Sequence, residues 1–390
     1  MEKMKLGEIV ENTISGEWGT EEKRDENDIF VIRTADFCND GRINYSNIIK
    51  RNIAKRKIEE KSLKIGDIIV EKSGGTDKNP VGRVVLFDKE NCKCLANNFT
   101  QVLRIKKEHY YKFIFYQLFY KYKSGGTLQM FNKTTGIQNL QMKLYLNQEL
   151  NVCDKKEQIK ISNLLDKVQE IVDTRKKQIE ELDELIKSQF VEMFENKNFE
   201  KKSLNEISVI KGEYGLGASA GEFVEGQPRY VRITDIQENG RLDNQSLASP
   251  KNEKNIDKYI LKYGDVLFAR TGATVGKTYK YNENDGYCVY AGYCIRFRLD
   301  LKICNPDYIF IYTKTDNYKK WVENKQRVVA QPNINAKEYG NDLKIPIPPI
   351  ELQNKFAEFV KQIDKQKFEI QKSLEETQKL QESLMNKYFG

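Results

Sequence analysis

The chain has 390 residues, of which 31% are charged and 39% apolar, so it can build folded cores beneath a strongly hydrated surface. No apolar run reaches the roughly 20 residues that span a bilayer, and no secretory signal opens the chain, so we expect a cytoplasmic protein. The net charge of +8 is compatible with a polyanionic partner and equally with an ordinary basic surface. The seven scattered cysteines predict reduced thiols.

The first predicted domain covers residues 1–152 and mixes short strands with a helix. Runs rich in β-branched and apolar residues predict the strands, and turns rich in glycine and asparagine separate them. A stretch crowded with aromatic residues predicts a helix at residues 109–122. The strand candidates are residues 29–32, 67–70 and 84–87, and the turn candidates are residues 39–41 and 73–75.

Residues 153–199 are predicted to form a first long spacer helix, with its regular part at residues 155–195. Seam positions recur at alternating spacings of four and three residues, and eight of the ten are apolar, which is the pattern of a coiled coil. At 1.5 Å per residue, the ~40 residues would span roughly 60 Å. The seam positions are Ile161, Leu165, Val168, Val172, Arg175, Ile179, Leu182, Ile186, Gln189 and Met193.

The second predicted domain covers residues 200–347, and a second long spacer helix follows at residues 348–390. Strands are predicted at residues 230–233, 265–268 and 294–297. Prolines at the end of the domain predict a stiff hinge, because proline is favoured at a helix start. In the second helix seven of the ten matching seam positions are apolar. They are Phe356, Val360, Ile363, Lys367, Ile370, Leu374, Thr377, Gln381, Leu384 and Tyr388.

The two halves of the chain are copies of one unit. LKIGDII at residues 63–69 reappears as LKYGDVL at residues 261–267, and DGRI at residues 40–43 reappears as NGRL at residues 239–242. VGR at residues 81–83 matches VGK at residues 275–277. The spacing far exceeds the 20–50 residues of solenoid repeats, so a whole domain with its helix is present twice.

The predicted fold class is therefore α+β. It has two similar mixed α/β domains, and the two long helices pair as an antiparallel intramolecular coiled coil with pseudo-twofold symmetry. The alternative is that each helix packs separately on its own domain. Lys367 and Arg175 interrupt the seams, and we expect their stems to lie at the edge of the core while the charges reach water.

Three motifs resemble catalytic or metal-binding sequences, but each lacks the spacing or the partner residues that such a site requires. GATVGKT at residues 272–278 has three residues between its glycines, whereas a phosphate-binding loop needs four. GASAG at residues 217–221 matches a nucleophile elbow in spelling, but the only histidine, His109, lies in the other domain. Cys92 and Cys94 are too close together to form half of a usual zinc site. We therefore predict no catalytic residue, no metal site and no enzymatic activity for this chain.

What remains is a set of polar and basic loops that follow matching strands. Small residues let a backbone approach a phosphate, Lys and Arg neutralise it, and Gln, Asn and Arg can read base edges. The residues at the loop tips differ between the halves, as recognition of two different base sequences would require. The alternative is that these are ordinary polar surface loops. The candidate DNA-binding residues are Lys72, Ser73, Thr76, Lys78, Arg83, Lys133, Thr135 and Gln138 in the first half, and Arg270, Thr271, Thr274, Lys277, Arg327, Gln331 and Asn333 in the second.

The full chain resembles the DNA-specificity subunit of type I restriction-modification systems. The residues that carry the resemblance are GEWG at 16–19, the two Gly-Asp strings, QPNI at 331–334 and IPIPPIELQ at 345–353, in their repeated order. The first half departs from the pattern: VCDKKEQ at residues 152–158 replaces the proline-rich entry, and GIQNL at residues 136–140 replaces QPNI. The hinges of the two halves are therefore expected to differ.

This resemblance implies a non-catalytic, sequence-specific DNA-binding subunit. Each target-recognition domain would read one half of a bipartite, asymmetric double-stranded site, mainly through the major groove, and the helices would fix the gap. Two modification subunits carrying S-adenosylmethionine would methylate an adenine in each half-site. A restriction subunit that uses ATP and Mg²⁺ would add cleavage where it is present, and no membrane is involved. A methylation-only system and a coiled-coil adaptor that does not read sequence remain the alternatives.

Overall fold

The computed structural model describes residues 2–134, 136–195, 197–251, 256–326 and 332–390. It divides into two compact units. Unit 1 comprises Met1–Arg175 together with Ser373–Gly390, and unit 2 comprises Lys176–Lys372. Each unit therefore contains one part of α5 and one part of α9. The predicted boundaries, in contrast, treat each long helix as a segment of its own.

Both units are built from short strands and short helices that lead into a long helix. The strands of the first half are β1 Glu2–Lys5, β2 Val10–Ser15, β3 Asp28–Ile32, β4 Ile49–Asn52, β5 Ile68–Glu71, β6 Ser73–Gly74, β7 Val84–Leu86, β8 Cys94–Ala96, β9 Thr100–Ile105, β10 Phe131–Thr134, β11 Ile137–Leu140 and β12 Glu149–Val152. Its helices are α1 Leu6–Ile9, α2 Lys55–Lys61, α3 Tyr111–Lys123, α4 Met142–Asn147 and α5 Lys155–Phe190, which ends in a π-helical turn, Val191–Glu195.

The second half repeats this arrangement. Its strands are β13 Lys201–Ser203, β14 Ser208–Tyr214, β15 Ala220–Glu222, β16 Arg229–Val231, β17 Ala248–Pro250, β18 Asp265–Ala269, β19 Thr278–Lys280, β20 Cys288–Tyr290, β21 Cys294–Leu299 and β22 Lys344–Pro346. Its helices are α6 Pro306–Tyr312, α7 Asp316–Gln326, α8 Ala336–Asp342 and α9 Ile350–Phe389.

A four-stranded antiparallel sheet forms the centre of unit 1, with strand order β2-β9-β5-β7. Successive side chains of a strand point to opposite faces, so a fully apolar strand is buried on both. In β5, Ile68 and Val70 join the core that contains α3, while Ile69 joins a second core built on β3 and β8. Strands β3 and β8 pair in parallel. The second core explains why this strand shows no polar alternation.

Unit 2 has the same topology, with strand order β14-β21-β18-β19 and a parallel pair, β16 and β20. Val266 and Phe268 of β18 face one core, and Leu267 faces the other. The central sheet and the parallel strand pair repeat those of unit 1, whereas the sheet β10-β11-β6 of unit 1 corresponds in the described part of unit 2 to a single bridge between Thr271 and Asn333. The prediction of two similar mixed α/β domains is confirmed.

The repeated Gly-Asp string provides a buried aspartate at the start of one strand in each central sheet. Gly66 has a φ of +91° and Gly264 a φ of +90°, a left-handed conformation that favours glycine. The aspartate that follows, Asp67 or Asp265, accepts a backbone hydrogen bond at 2.8 Å from the lysine three residues earlier. Each aspartate also pairs with an arginine of the neighbouring strand, at 2.7 Å in both units. Each copy of the string therefore supplies the aspartate of an Asp–Arg ion pair.

The long helices pair in antiparallel fashion within each unit, as predicted. In unit 1 the side chain of Gln381 donates to Gln169 at 2.8 Å, and the seam residues Ile161 and Leu165 share a core with Phe389. In unit 2, Phe190 of α5 and Phe356 of α9 meet edge to face, with ring centroids 5.6 Å apart. The helices therefore pack on each other and on the domain of the same unit.

The charged seam positions are paired across the helices instead of reaching water. Lys367 is 8% exposed and forms an ion pair with Asp183. The guanidinium of Arg175 donates to the carbonyl oxygen of Ser373 at 2.8 Å and also to the hydroxyl of Thr377. The expectation of charges in water was wrong, because the facing helix supplies acceptors beside each cation.

The two long helices begin in the same way despite their different sequences. The backbone N–H of Tyr110 donates to the buried side chain of Gln158 at 2.7 Å, and this amide donates to the carbonyl oxygen of Cys153 at 2.7 Å. In unit 2, Gln353 accepts from the N–H of Asn305 at 2.9 Å and donates to the Pro348 carbonyl oxygen at 2.7 Å. The two helix starts therefore share one buried glutamine anchor, although the sequences leading into them differ.

The sulfur atoms of Cys92 and Cys94 lie in contact with each other. The remaining cysteines are free, and they are Cys38, Cys153, Cys288, Cys294 and Cys304. Across the described residues, no cluster of three or more His, Cys, Asp or Glu side chains could hold a metal ion. Within the same residues, no helix has the length and apolarity needed to cross a membrane.

Candidate nucleic-acid interface

Two loops that lie far apart in the first half of the sequence meet in unit 1. The short strand β6 pairs with β11, which in turn pairs with β10. This pairing places Ser73 opposite Asn139 and Gly74 opposite Gln138. The hydroxyl of Ser73 donates to the side-chain oxygen of Asn139. The candidate residues after β5 and those of the β10–β11 hairpin therefore form one continuous polar surface.

The corresponding loops meet in unit 2 with the same hydrogen bonds. Thr271 and Asn333 form an antiparallel bridge, as Ser73 and Asn139 do in unit 1. The Ile334 N–H donates to the carbonyl oxygen of Arg270 at 2.9 Å, and in unit 1 the Leu140 N–H donates to that of Lys72 at 2.7 Å. Lys72 and Arg270 thus occupy equivalent positions, with Ser73 equivalent to Thr271 and Asn139 to Asn333.

Three candidates of unit 1 lie at the exposed tips of these loops. Thr76 closes a turn, since its hydroxyl accepts from the Asn79 N–H at 3.1 Å. The ammonium group of Lys133 lies 2.8 Å from Asp77 and holds the pKa of that carboxyl below its usual range. Lys78 is exposed and has no ion-pair partner among the described residues. Lys78 is therefore available to a phosphate without breaking an internal contact.

Two other candidates of unit 1 have their polar atoms engaged inside the unit. The guanidinium of Arg83 donates to the buried Glu71 at 2.7 Å and to the carbonyl oxygen of Thr34 at 3.0 Å. Gln138 is 2% exposed, and its side-chain oxygen accepts from the Val81 N–H at 3.1 Å. In this conformation both side chains hold the loops in position.

Lys72 occupies an intermediate environment at the base of the same loop. Its side chain is half-buried, and its pKa is lowered, first by burial and then by the positive charge of Lys61. A cation that is partly stripped of water and faces another cation is stabilised by an anionic ligand. This environment suits a phosphate oxygen.

The candidates of unit 2 divide in a similar way. The hydroxyl of Thr274 donates to the Thr271 carbonyl oxygen at 3.1 Å and closes a turn. Lys277, the equivalent of Arg83, has a side chain that is 22% exposed and pairs with Glu238 at 2.8 Å. Three predicted site residues lie outside the described residues, and they are Thr135, Arg327 and Gln331.

Arg270 has the most ordered surroundings of the candidates described. Its Nε donates to the side-chain oxygen of Asn333 at 3.4 Å, and its guanidinium lies over the ring of Tyr214 at 4.9 Å from the centroid. The Tyr214 hydroxyl accepts from the Ala336 N–H at 3.2 Å, which fixes the far end of the ring. Tyr214 was not among the predicted site residues.

Sequence reasoning also missed an exposed aromatic residue beside each equivalent cation. Phe99 is 43% exposed and Tyr293 is 60% exposed, although large aromatic side chains are usually buried. Their carbonyl oxygens accept from the backbone N–H groups of Lys72 at 2.9 Å and Arg270 at 3.1 Å. The signal was present, since each aromatic residue stands directly before a matching strand, β9 or β21.

The lone histidine has a structural position. The Nδ1 atom of His109 lies 3.5 Å from the side-chain nitrogen of Gln158, the residue that anchors the start of α5. Burial lowers the pKa of the imidazole, with nearby lysines adding to the effect.

The described loops offer hydrogen-bond donors, cations and aromatic faces, which are the groups that bind DNA.

Comparison with known proteins agrees with this geometry. Residues 1–184 and 196–381 match the sequence model of the type I restriction modification DNA specificity domain. Over 296 residues the chain is 26% identical to the type I restriction enzyme MjaVIII specificity subunit of Methanocaldococcus jannaschii, an alignment that covers 69% of this chain and 68% of that protein.

Two solved structures have the same fold. The S subunit of a type I restriction-modification system from M. genitalium superposes with a TM-score of 0.60 at 17% identity, covering 100% of this chain and 96% of that one. A chain from a structure concerned with complex assembly and conformational transition of the type I R-M system gives a TM-score of 0.57 at 16% identity, with coverage of 100% and 97%.

Proposed function

Because the chain belongs to the type I restriction-modification DNA specificity family, we propose that each of its units reads one half of a bipartite, asymmetric DNA site. The reading takes place mainly in the major groove, where the four base pairs present different patterns of donors and acceptors. The chain itself performs no catalysis in this proposal. Its role requires access to DNA, so the expected cytoplasmic location is part of the same proposal.

The observation that carries the proposal is the pairing of the same two loops in both units on one repeated scaffold. The backbone hydrogen bonds at the loop bases are equivalent, while the side chains at the tips differ. Lys72 stands where Arg270 does, and Ser73 where Thr271 does. A constant frame with variable tips suits two readers that recognise different sequences.

We propose that the paired helices set the gap between the half-sites. Contacts such as Gln169–Gln381 and Asp183–Lys367 fix the register of one helix against the other. Slippage would leave Lys367 buried without its partner, and an unpaired buried charge is strongly destabilising. A helix pair with one register keeps one length, as a spacer must.

The proposal assigns the chemistry to partner subunits. Two modification subunits, each with S-adenosylmethionine, methylate one adenine in each half-site, and a restriction subunit with ATP and Mg²⁺ cleaves DNA where the system contains one. Leu164 is 38% exposed and Ile171 is 44% exposed, seven residues apart on α5. A groove of about 520 Å³ lies beside Leu164 and is also lined by Tyr388. These apolar groups suit the docking of a protein partner.

The test is to co-express the chain with the methyltransferase encoded beside it and to map methylated adenines across the host genome. A split motif with a constant gap and one methylated adenine in each half is the expected result. An intact complex whose methyltransferase is active but whose methylation follows no motif would contradict the proposal. It would favour an adaptor that binds DNA without reading its sequence, for which added salt weakens binding equally on all DNA.

A further inference from the structure

Arg270 has contacts at both its backbone and its guanidinium. Its backbone N–H donates to the carbonyl oxygen of Tyr293, and its own carbonyl oxygen accepts from the Ile334 N–H. Its Nε is hydrogen-bonded to Asn333, and its guanidinium carbon lies over the ring of Tyr214, 4.9 Å from the centroid. An arginine fixed at both its backbone and its guanidinium loses little conformational entropy when it binds a ligand.

The ring beneath Arg270 is itself fixed at both ends. Tyr214 ends strand β14 and pairs with Ile295 of the neighbouring strand, and its hydroxyl is bonded to the N–H of Ala336. Asn333 is fixed through its backbone bridge to Thr271. The ring, although 42% exposed, is therefore held by the sheet and by the start of α8, and the backbone of Asn333 is held by its bridge to Thr271.

These contacts leave the two terminal nitrogens of Arg270 available. The hydrogen bond to Asn333 uses Nε, and neither Nη1 nor Nη2 has an acceptor among the described residues. Arg270 is half-buried, and its backbone N–H is bonded to the exposed residue Tyr293. The donors of both terminal nitrogens thus remain available on a guanidinium that is anchored through Nε and the Tyr214 ring.

Unit 1 supplies charge at the same position but no such orientation. Ser15 ends strand β2 and occupies the place that Tyr214 has in β14, and its hydroxyl donates to Gln101 at 3.1 Å. Lys72, the equivalent of Arg270, has no aromatic ring beneath its cation in the described part of the chain. A phosphate requires only the charge, whereas a base edge requires donors in a defined plane.

We infer that Arg270 reads a guanine in the half-site of unit 2, with Tyr214 and Asn333 as its positioning residues. Guanine presents two acceptors, N7 and O6, on one edge in the major groove, and an arginine fork donates to both. The inference rests on the proposed function and deepens it by assigning one residue to one kind of base. Unit 1 has no equivalent reader at Lys72, so a guanine read in this way belongs to one half-site only.

The first test compares genome-wide methylation motifs for the chain in complex with its methyltransferase. Arg270→Lys keeps the charge and removes the fork, so guanine should lose its preference at one position of one half-site, with the other half-site unchanged. Tyr214→Leu should have the same effect, whereas Tyr214→Phe retains the ring and should retain the guanine. Tyr263→Leu removes an exposed ring of unit 2 that lies outside these loops, so it is the matched control and should leave both half-sites unaltered. Emission from Trp321 of the isolated chain, in a Trp18→Phe background, monitors the folding of unit 2 in each variant.

The second test measures binding of the purified complex to the identified site. Replacing the assigned guanine by 7-deazaguanine removes the N7 acceptor and should weaken binding of the native chain by roughly tenfold, and of Arg270→Lys far less. A motif that survives Arg270→Lys, or a loss of affinity that is equal on every sequence, would overturn the inference and assign Arg270 to a phosphate or to structure. Absence of any split motif with the native chain would instead refute the proposed function, so the two failures are distinguishable.

Discussion

Asp265, which is fully buried, forms an ion pair with the partly buried Arg298 of the neighbouring strand in unit 2, and the guanidinium donates to both carboxylate oxygens at 2.7 and 2.8 Å. The Lys262 N–H donates a further hydrogen bond to the same carboxylate. Asp67 and Arg104 repeat the arrangement in unit 1. The repeated Gly-Asp string thus provides an ion pair between neighbouring strands of each central sheet, and we assign it no role in ligand binding.

We predict that Asp265→Asn destabilises unit 2 by about 3 kcal/mol, because Arg298 keeps its charge and loses its charged partner. The chain has two tryptophans, Trp18 in unit 1 and Trp321 in unit 2. Urea unfolding followed by fluorescence in a Trp18→Phe background reports unit 2 alone. Asp67→Asn in a Trp321→Phe background is the matched experiment for unit 1. Unchanged unfolding midpoints in both experiments would show that the pairs do not stabilise the units.

The glutamines at the helix starts should protect one backbone amide each. Gln353→Ala removes the acceptor of the Asn305 N–H and the donor to the Pro348 carbonyl oxygen. A buried group left without its partner costs about 1–3 kcal/mol, so local opening becomes easier. Hydrogen exchange measured by mass spectrometry should rise around Asn305.

Gln158→Ala provides the control, since it should raise exchange around Tyr110 in unit 1 and leave Asn305 protected. If either variant raised exchange in both regions, the two anchors would not be independent. If neither variant changed exchange, the buried amides would contribute nothing to the helix starts.

Periodicity in the sequence was sufficient for the repeated domains and for the antiparallel helix pair. The seam pattern identifies which face of each helix is apolar, and Ile161 and Phe356 do lie in cores. The same pattern cannot identify which polar groups meet. Lys367 and Asp183 are 184 residues apart in the chain, so their pairing follows only from the register of two helices.

The candidate site could be predicted only as a set of loops. Gln138 is bonded to an N–H 57 residues away, and Arg83 to a carboxylate on an adjacent strand. Their residue types suggested contacts with DNA, but in the folded chain both side chains are hydrogen-bonded to other residues of unit 1. Tyr214 was missed for the converse reason: an aromatic residue at a strand end looks like core until the structure places Arg270 on its ring.

Lys314 should titrate far below an ordinary lysine. Its ammonium group donates to the Glu238 carbonyl oxygen at 3.2 Å and lies 4.8 Å from the centre of the Phe310 ring. Burial lowers the pKa of Lys314 to about 8, Glu238 opposes the shift, and Lys277 adds to it. Competitive acylation of the folded chain should therefore show a midpoint near pH 8 at Lys314, and Glu238→Gln should move the midpoint lower.

The same shift predicts how stability depends on pH. The folded state binds the Lys314 proton more weakly than the unfolded state, so the protonated form destabilises folding below pH 8. The free energy of unfolding should rise as pH increases through 8 toward the unfolded pKa of about 10.4. Lys314→Met should lack this rise, and the difference between the two unfolding curves measures it. Identical curves for the two proteins would contradict the lowered pKa.

The spacer proposal predicts that the gap can be lengthened without altering either half-site. A copy of residues 169–175 inserted after Arg175, with a copy of residues 373–379 inserted before Ser373, adds one heptad to each helix and preserves the seam. Seven residues add about 10 Å of helix, or about three base pairs at 3.4 Å each. The methylation motif of the complex should therefore show unchanged half-sites and a gap about three base pairs longer.

A single-helix insertion is the matched control for that experiment. The heptad placed in α5 alone has no facing residues, because Arg175 stays opposite Ser373 and Asp183 stays opposite Lys367, so the helix pair cannot extend and the motif should be lost. If the double insertion changed the bases of a half-site, the helices would take part in reading sequence. If it left the gap at its native length, the distance between half-sites would be set by the partner subunits, and the spacer role would be refuted.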